Sequence, residues 1–384
     1  CGKVHFAPNI YWNQNRDRYE GYRDQPEKMK FNYNRTDVYG VNLSSYFDWG
    51  STSDSHFSMG RIKNRTAFGA ELRNEDLVSG NLGEPLSQTH HISGTDRDYT
   101  LGLNRTNISG YLEHNLLLRD FTLSAGLVAV KNTWSNMNMT VYPGVDVSYR
   151  PSSHWKLHAS YNTSLRMPSF TEMYYKLQGY SADPHLKPEE MQALEAGITY
   201  HSSLITVHGA LWHHHGKNMI DWIMDTTKGD EAVWESVNHT EINSTGFEAN
   251  ATLDLSTITH RLSSFNLSYS YIDQDKKQEQ SIVSQYALEY LRHKLVGNLR
   301  LGLTRQLELN LTGRWQDRVG SYTDFEGNVC DYKPYFLADA RLTWRTDTWK
   351  LYVEANNLFD TTYHDYGLVE QPGRWLIAGV SVSL

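Results

Sequence analysis

Three consecutive histidines, His213-His214-His215, come nearest in this chain to a set of residues that could bind a metal. On a strand, His213 and His215 would share one face at i, i+2, and two imidazoles side by side can begin a coordination shell. No carboxylate or cysteine stands at a recognisable ligand spacing from them, so no metal site is expected. Nor does a catalytic constellation emerge. There is no Gly-x-Ser-x-Gly elbow, no phosphate-cradling glycine loop and no His-Glu-x-x-His helix, and enzymatic chemistry is not expected. Cys1 and Cys330 are the only cysteines, too few for a fold stapled by disulfides. Cys1-Gly2 has the form of a lipidated first residue, although a fragment boundary accounts for it more simply. The formal charge of -8 offers no basic face for nucleic acid.

Any chemistry must therefore be carried by the elements themselves. The chain has 384 residues, among them 25 Tyr, 11 Trp and 12 Phe, a composition that favours strands. In HWKLHASYNTSL, Trp155, Leu157, Ala159 and Tyr161 fall on one face and Lys156, His158, Ser160 and Asn162 on the other. The same alternation sets Leu295, Leu299, Leu301 and Leu303 against Asn298, Arg300 and Thr304. It also sets Leu307, Leu309, Leu311 and Trp315 against Glu308, Asn310, Thr312, Arg314 and Gln316. No apolar run approaches the roughly 18 residues of a spanning helix. A barrel needs no such run, because only every second residue of its strands must be apolar. Triplets such as those at Asn34, Asn104 and Asn243 match glycosylation acceptors, but polar faces rich in Asn, Ser and Thr produce them by composition.

A soluble sandwich alternates too, and strand length and connections separate the two readings. Many runs reach about ten residues, the length of a tilted membrane strand rather than the usual five or six. Short turns at Arg119-Asp120, Pro151-Ser152-Ser153, His201-Ser202-Ser203, Thr304-Arg305-Gln306 and Thr346-Asp347-Thr348 alternate with long polar connections. Those lie at about 75 to 100, 166 to 188, 225 to 236, 273 to 287, 318 to 334 and 360 to 373. Outer-membrane barrels sort their loops in this way, with short turns inside and long loops outside. The fold class is thus all-β: an antiparallel up-and-down transmembrane barrel of about 16 strands, an even number as such barrels prefer. The ending GRWLIAGVSVSL alternates to the last residue. A final strand that zips against another to close the barrel would demand this, with Leu376, Ala378, Val380, Val382 and Leu384 facing lipid.

Three stretches go beyond pattern. VEANNLFDTTYHDYGLVEQPGRWLIAGVSVSL (353 to 384) resembles the C-terminal signature of TonB-dependent outer-membrane receptors, carried by Asn357-Leu358-Phe359-Asp360, Tyr363 and Pro372-Gly373-Arg374. SLRMPSFTEMY (164 to 174), followed by ADPHLKPEEMQALEAGITY (182 to 200), is similar to a second signature, and WESVNHTEINSTGFEANATL (234 to 253) to a third. The wording YPGVDVSYRPSSHWKLHASYNTSLRMPSFTEMYY resembles the vitamin B12 (cobalamin) branch. The family usually ends in an aromatic residue that assists assembly, and Leu384 departs from that.

The resemblance implies a Gram-negative outer-membrane importer of a large scarce nutrient, cobalamin or another corrinoid, energised by the TonB complex. It further implies a barrel of about 22 strands filled by a plug. Residues 1–384 would then be one partial barrel domain, with the plug, the TonB box and the first strands missing. Under this reading Arg166 and Glu172 are candidates to face the plug, with a solvated lumen charge as the plain alternative. The ligand would be held by aromatic residues of the long loops, namely Tyr174, Tyr175, Tyr180, Trp222, Trp234 and Tyr366, unless these belong to interface girdles. Lipid or lipopolysaccharide would surround the wall. A capping surface lipoprotein and loop-ordering calcium are compatible with this reading and not indicated by any residue. Asn357 to Asp360 and Pro372-Gly373 are expected to close the fold rather than touch ligand.

Three rivals stay open. An iron-siderophore or haem receptor of the same family differs only in its loops. A passive 16-stranded porin would fold a constricting loop inward. A soluble surface β domain for adhesion or glycan binding would leave the sorting of loops by length unexplained.

Overall fold

The computed structural model describes residues 4–49, 62–134, 137–177, 179–238, 241–257, 262–275, 282–284, 290–365 and 367–383; Cys1, Tyr366 and Leu384 lie outside them. Among the described residues sixteen long strands follow one another: β1 (Val4–Tyr19), β2 (Asn32–Trp49), β3 (Ile62–Ser79), β4 (Asp98–Leu118), β5 (Phe121–Asn132), β6 (Thr140–Tyr149), β7 (Trp155–Arg166) and β8 (Glu189–His201). The series continues with β9 (Ile205–Lys217), β10 (Ile242–Leu253), β11 (Leu262–Asp275), β12 (Tyr290–Gly302), β13 (Leu307–Val319), β14 (Tyr335–Arg345), β15 (Trp349–Asn356) and β16 (Trp375–Val382). Each pairs antiparallel with the next, which is the expected up-and-down meander. A short arm, Glu84–His91, folds back onto β4 and brings the sheet to 17 strands.

The alternation becomes two chemically distinct faces. Trp155, Leu157, Ala159 and Tyr161 stand beside Tyr200, Ile198, Ala196 and Leu194 of the neighbouring strand, all pointing outward. Leu351 and Val353 stand beside Val380 and Ala378 in the same way. Most of these apolar side chains are exposed, Leu376 by 71% and Leu211 by 66%. A sheet in water could not leave so continuous an apolar band uncovered, whereas lipid covers it. Aromatic residues mark its edges. Trp155 packs on Tyr200 at 4.8 Å near the short turns, and Phe247, Tyr269, His293 and Trp315 form a ring-to-ring row nearer the long loops. The inward face is polar and paired, with Arg341 to Glu354 at 3.3 Å and Arg300 to Glu308 at 3.0 Å.

On β3 and β4 the outward face changes character along the strand. Below Leu72 and Ile108 it is largely apolar. Above them Asn74 donates to Asn104 and Thr106 at 2.8 and 2.9 Å, and Asn104 donates to Asp76 at 3.0 Å. A polar ladder of this kind belongs in water, so this side of the wall rises past the membrane. The connection expected at about 75 to 100 is narrower, residues 80 to 97 with the arm Glu84–His91 inside it, because β3 runs to Ser79 and β4 begins at Asp98, and above the lipid neither needs apolar residues. The connection between β1 and β2, residues 20 to 31, is a further long one, with the turn formers Gly21, Asp24 and Pro26.

All five short turns lie where expected. The tightest, Arg119-Asp120, places Arg119 at φ 47°. The closure expected of the last strand is not made. β16 pairs only with β15 and β1 only with β2, so the described residues form an unclosed wall. Closure requires strand number, tilt and stagger to agree.

Candidate functional site

The outer mouth is built from connections that fold over and into the wall. Residues 167 to 177 and 179 to 188, between β7 and β8, turn inward and reach the lumen face of β3 and β4. There Met173, Tyr174 and Leu186 join Leu77, Leu82, Leu103 and Ile220 in a buried cluster, with Trp134, Phe170 and Tyr175 against its edge. Burial of this apolar group offsets part of the entropy of ordering the loop. Ser169 starts the short helix Phe170–Tyr174 with a capping box: its hydroxyl accepts from the Glu172 N–H at 3.2 Å, and its own N–H donates to the Glu172 carboxylate at 2.7 Å.

Two arginines fasten this segment. Arg166 forks between two carboxylates, reaching Glu189 at 2.5 and 2.8 Å and Glu172 at 2.9 and 3.0 Å. Arg105, on the lumen face of β4 across the mouth, pairs with Glu75, donates to the Pro168 carbonyl at 2.6 Å and lies 4.5 Å from the centre of the Phe170 ring. Burial alone would raise the Glu172 carboxyl, but hydrogen bonds from Arg166 and Ser169 outweigh it and hold the group below the usual carboxylate range. Burial, together with the nearby Glu84 carboxylate, pushes the Tyr174 phenol up; its hydroxyl donates to Glu84 at 3.2 Å.

Beside this inward segment three connections are woven into one small sheet. Ile220–Asp225 pairs antiparallel with Trp234–Asn238 and with Ile282–Ser284, while Trp234–Asn238 takes Tyr180–Ser181 as a parallel neighbour. Asn238 ties it down, donating to the Lys187 and Asn218 carbonyls at 2.9 and 2.8 Å and accepting from the Lys187 N–H at 2.7 Å.

The aromatic candidates separate in this frame. Tyr175, Tyr180 and Trp222 meet edge to face, with ring centres 5.3, 6.1 and 5.4 Å apart. Trp222 and Tyr174 are buried, Trp234 is half-buried in the small sheet, and Tyr366 lies outside the described residues. Arg166 and Glu172 face each other. His213 and His215 point outward, bonded to Thr245 and Asn243 at 2.9 and 2.8 Å, whereas His214 points inward and stacks on Trp212 at 4.4 Å.

A cavity of about 540 Å³ opens at the rim between residues 19 to 34, 80 to 97 and 171 to 177. Lys30, Arg97 and Lys176 line it together with one carboxylate, Asp17, and with Tyr19, Phe31 and Tyr175. Arg97 donates to the Phe31 carbonyl and lies over the Tyr33 ring. Three cations against one carboxylate, with three aromatic rings in the same concavity, leave an excess of positive charge that suits an anionic ligand with flat, polarisable surface. Of the cations and rings only Tyr175 is legible in the sequence; the cations sit in connections whose charges look like ordinary solvated loop residues.

The fold has many counterparts. The siderophore receptor PirA from Acinetobacter baumannii aligns over 99% of this chain and 60% of its own, with a TM-score of 0.70 and 15% identity. A mutant of the ferric enterobactin receptor PfeA from Pseudomonas aeruginosa aligns over 100% of this chain and 59% of its own, with a TM-score of 0.68 and 17% identity. The FrpB iron transporter from Neisseria meningitidis (F5-1 variant) gives 98%, 60%, 0.69 and 18% in the same order. This chain thus spans about three-fifths of the length of the solved structures it matches. No curated protein matches the chain. Residues 3–358 match the family described as TonB dependent receptor-like, beta-barrel, and the inward loop, which a porin would also have, is therefore read within that family: the chain belongs to the TonB-dependent receptor β-barrel family.

Proposed function

We propose that this chain is the outer-membrane wall of a TonB-energised importer whose cargo is an anionic ferric chelate, captured at the rim before it passes inward. The carrying observation is the rim cavity, where Lys30, Arg97 and Lys176 converge beside Tyr19, Phe31 and Tyr175. Ferric complexes of catecholates are multiply anionic and present flat rings, so they gain from both the charge and the aromatic faces. A corrinoid, ringed by neutral amides, gains little from three cations. The cargoes named for PirA, PfeA and FrpB point the same way, and they support an iron chelate over the corrinoid suggested by residues 142 to 175. In the whole protein a plug and the TonB complex would supply gating and energy.

The test is equilibrium binding to outer membranes that contain the whole receptor, with a ferric tris-catecholate, a ferric trihydroxamate and cobalamin in competition. Saturable uptake of the anionic iron complex, weakened by salt, is the expected result. Saturable binding of cobalamin with none of either iron complex would overturn the reading.

A further inference from the structure

The lumen face of these strands is largely polar, as β13 shows with Arg314 and Gln316, but besides the cluster under the inward segment one further part of it is apolar. Below the start of the connection that follows β9, a cavity of about 500 Å³ opens in the lumen wall between β8, β9, β10 and β11. Met191, Trp212, Met219 and Ile272 form its apolar surface, with His214 and Gln274 at the polar side. The volume falls within the range of about 300 to 1,000 Å³ typical of small-molecule sites.

The wall is shaped for a flat group. Trp212 stands opposite Gly246 in the register, and a Cβ on Gly246 would collide with the indole. Only glycine lets the ring lie against the backbone. His214 stacks on that indole with ring centres 4.4 Å apart and an interplanar angle of 25°, extending the platform. Met191 and Met219 supply flexible, polarisable walls that adapt to a ring edge. Gln274 contributes the one directional demand: its Oε1 is buried and has no hydrogen-bond partner among the described residues. An orphaned buried acceptor costs free energy until a donor reaches it.

We infer that this cavity is a second binding station inside the mouth, which takes a flat aromatic moiety carrying one O–H or N–H donor, with the donor directed at Gln274 Oε1. Its place at the loop ends of the strands opens it to incoming ligand. The station does not depend on cargo charge, so it stands or falls separately from the ferric-chelate reading.

The test uses 4-bromophenol as the probe and bromobenzene as the ring without a donor, both applied to the whole receptor in detergent. Crystals soaked with 4-bromophenol are expected to give an anomalous bromine peak between Trp212, Met191 and Ile272. In titrations, Trp212→Ala and Gly246→Val should each weaken 4-bromophenol at least about fivefold. Gln274→Leu, close in size and so a small disturbance to the wall, should weaken 4-bromophenol about fivefold while leaving bromobenzene within about twofold, the size expected for one hydrogen bond. Two results overturn the proposal: 4-bromophenol affinity unchanged in Trp212→Ala and Gln274→Leu, or a segment of the receptor itself filling the cavity in the whole protein.

Discussion

Arg105 and Pro168 meet across the mouth of the wall, the guanidinium Nη1 donating to the carbonyl oxygen at 2.6 Å although the residues lie 63 positions apart. This contact, with the Glu75 ion pair behind it and the Phe170 ring beside it, holds the inward segment against β3 and β4. Arg105→Ala should release that segment while leaving the barrel folded. A charged hydrogen bond of about 2 kcal/mol corresponds to roughly 30-fold faster amide exchange across residues 169 to 175. Hydrogen exchange by mass spectrometry reads this directly, and unchanged protection would show that the apolar cluster alone holds the loop.

Acid should loosen the same segment through Glu172. Its folded-state pKa is depressed, so the stabilisation is fully present above the ordinary carboxylate value of about 4.3 and is lost as pH falls through the lower folded value. Exchange protection of residues 169 to 175 is expected to fall steadily below about pH 4 in the native protein. In Glu172→Gln protection should start lower and change less over the same interval. A parallel pH response in both proteins would assign the effect to another group.

Gly373 serves the end of the barrel. Asp360 Oδ1 accepts from the Arg374 N–H at 2.6 Å, and a Cβ on Gly373 would stand 2.6 Å from that same oxygen. Gly373→Ala should therefore lower the yield of folded, heat-modifiable barrel, because the Asp360 side chain must shift to admit the methyl group. Asp360→Ala in the same chain should restore part of that yield, because it removes the clash along with the bond. Gel-mobility assays of folded against heated protein distinguish the single from the double variant.

At the rim, Lys30→Ala and Lys176→Ala should each reduce affinity for an anionic ferric chelate by about three- to tenfold at low salt, with the loss shrinking as ionic strength rises. Arginine at either position should retain most of the affinity. Binding titrations at two salt concentrations check this; equal losses for a neutral ligand would point to altered loop structure instead.

How much of this is legible in the sequence follows from where lipid imposes a rule. Alternation fixes which faces of β7, β12, β13 and β16 turn outward, since a strand crossing lipid must present apolar residues at every second position. Turn chemistry places the five short connections, and the motif from Asn357 to Asp360 is the clasp its residue types suggest: the Asn357 side chain donates to the Thr361 carbonyl and accepts from its N–H, both at 2.8 Å. Above the membrane that rule lapses, and the rise of β3 and β4 beyond the lipid is correspondingly invisible.

Local pattern carries no information about which connection meets which wall. That Arg105 reaches Pro168, that Lys30, Arg97 and Lys176 share one cavity, and that Trp212 lies flat on Gly246 all depend on strand register and on loops folding inward across the mouth. A sequence determines each strand through its immediate neighbours. Long-range contacts are selected by the whole arrangement of buried surface and paired charge, and only the tertiary structure decided those.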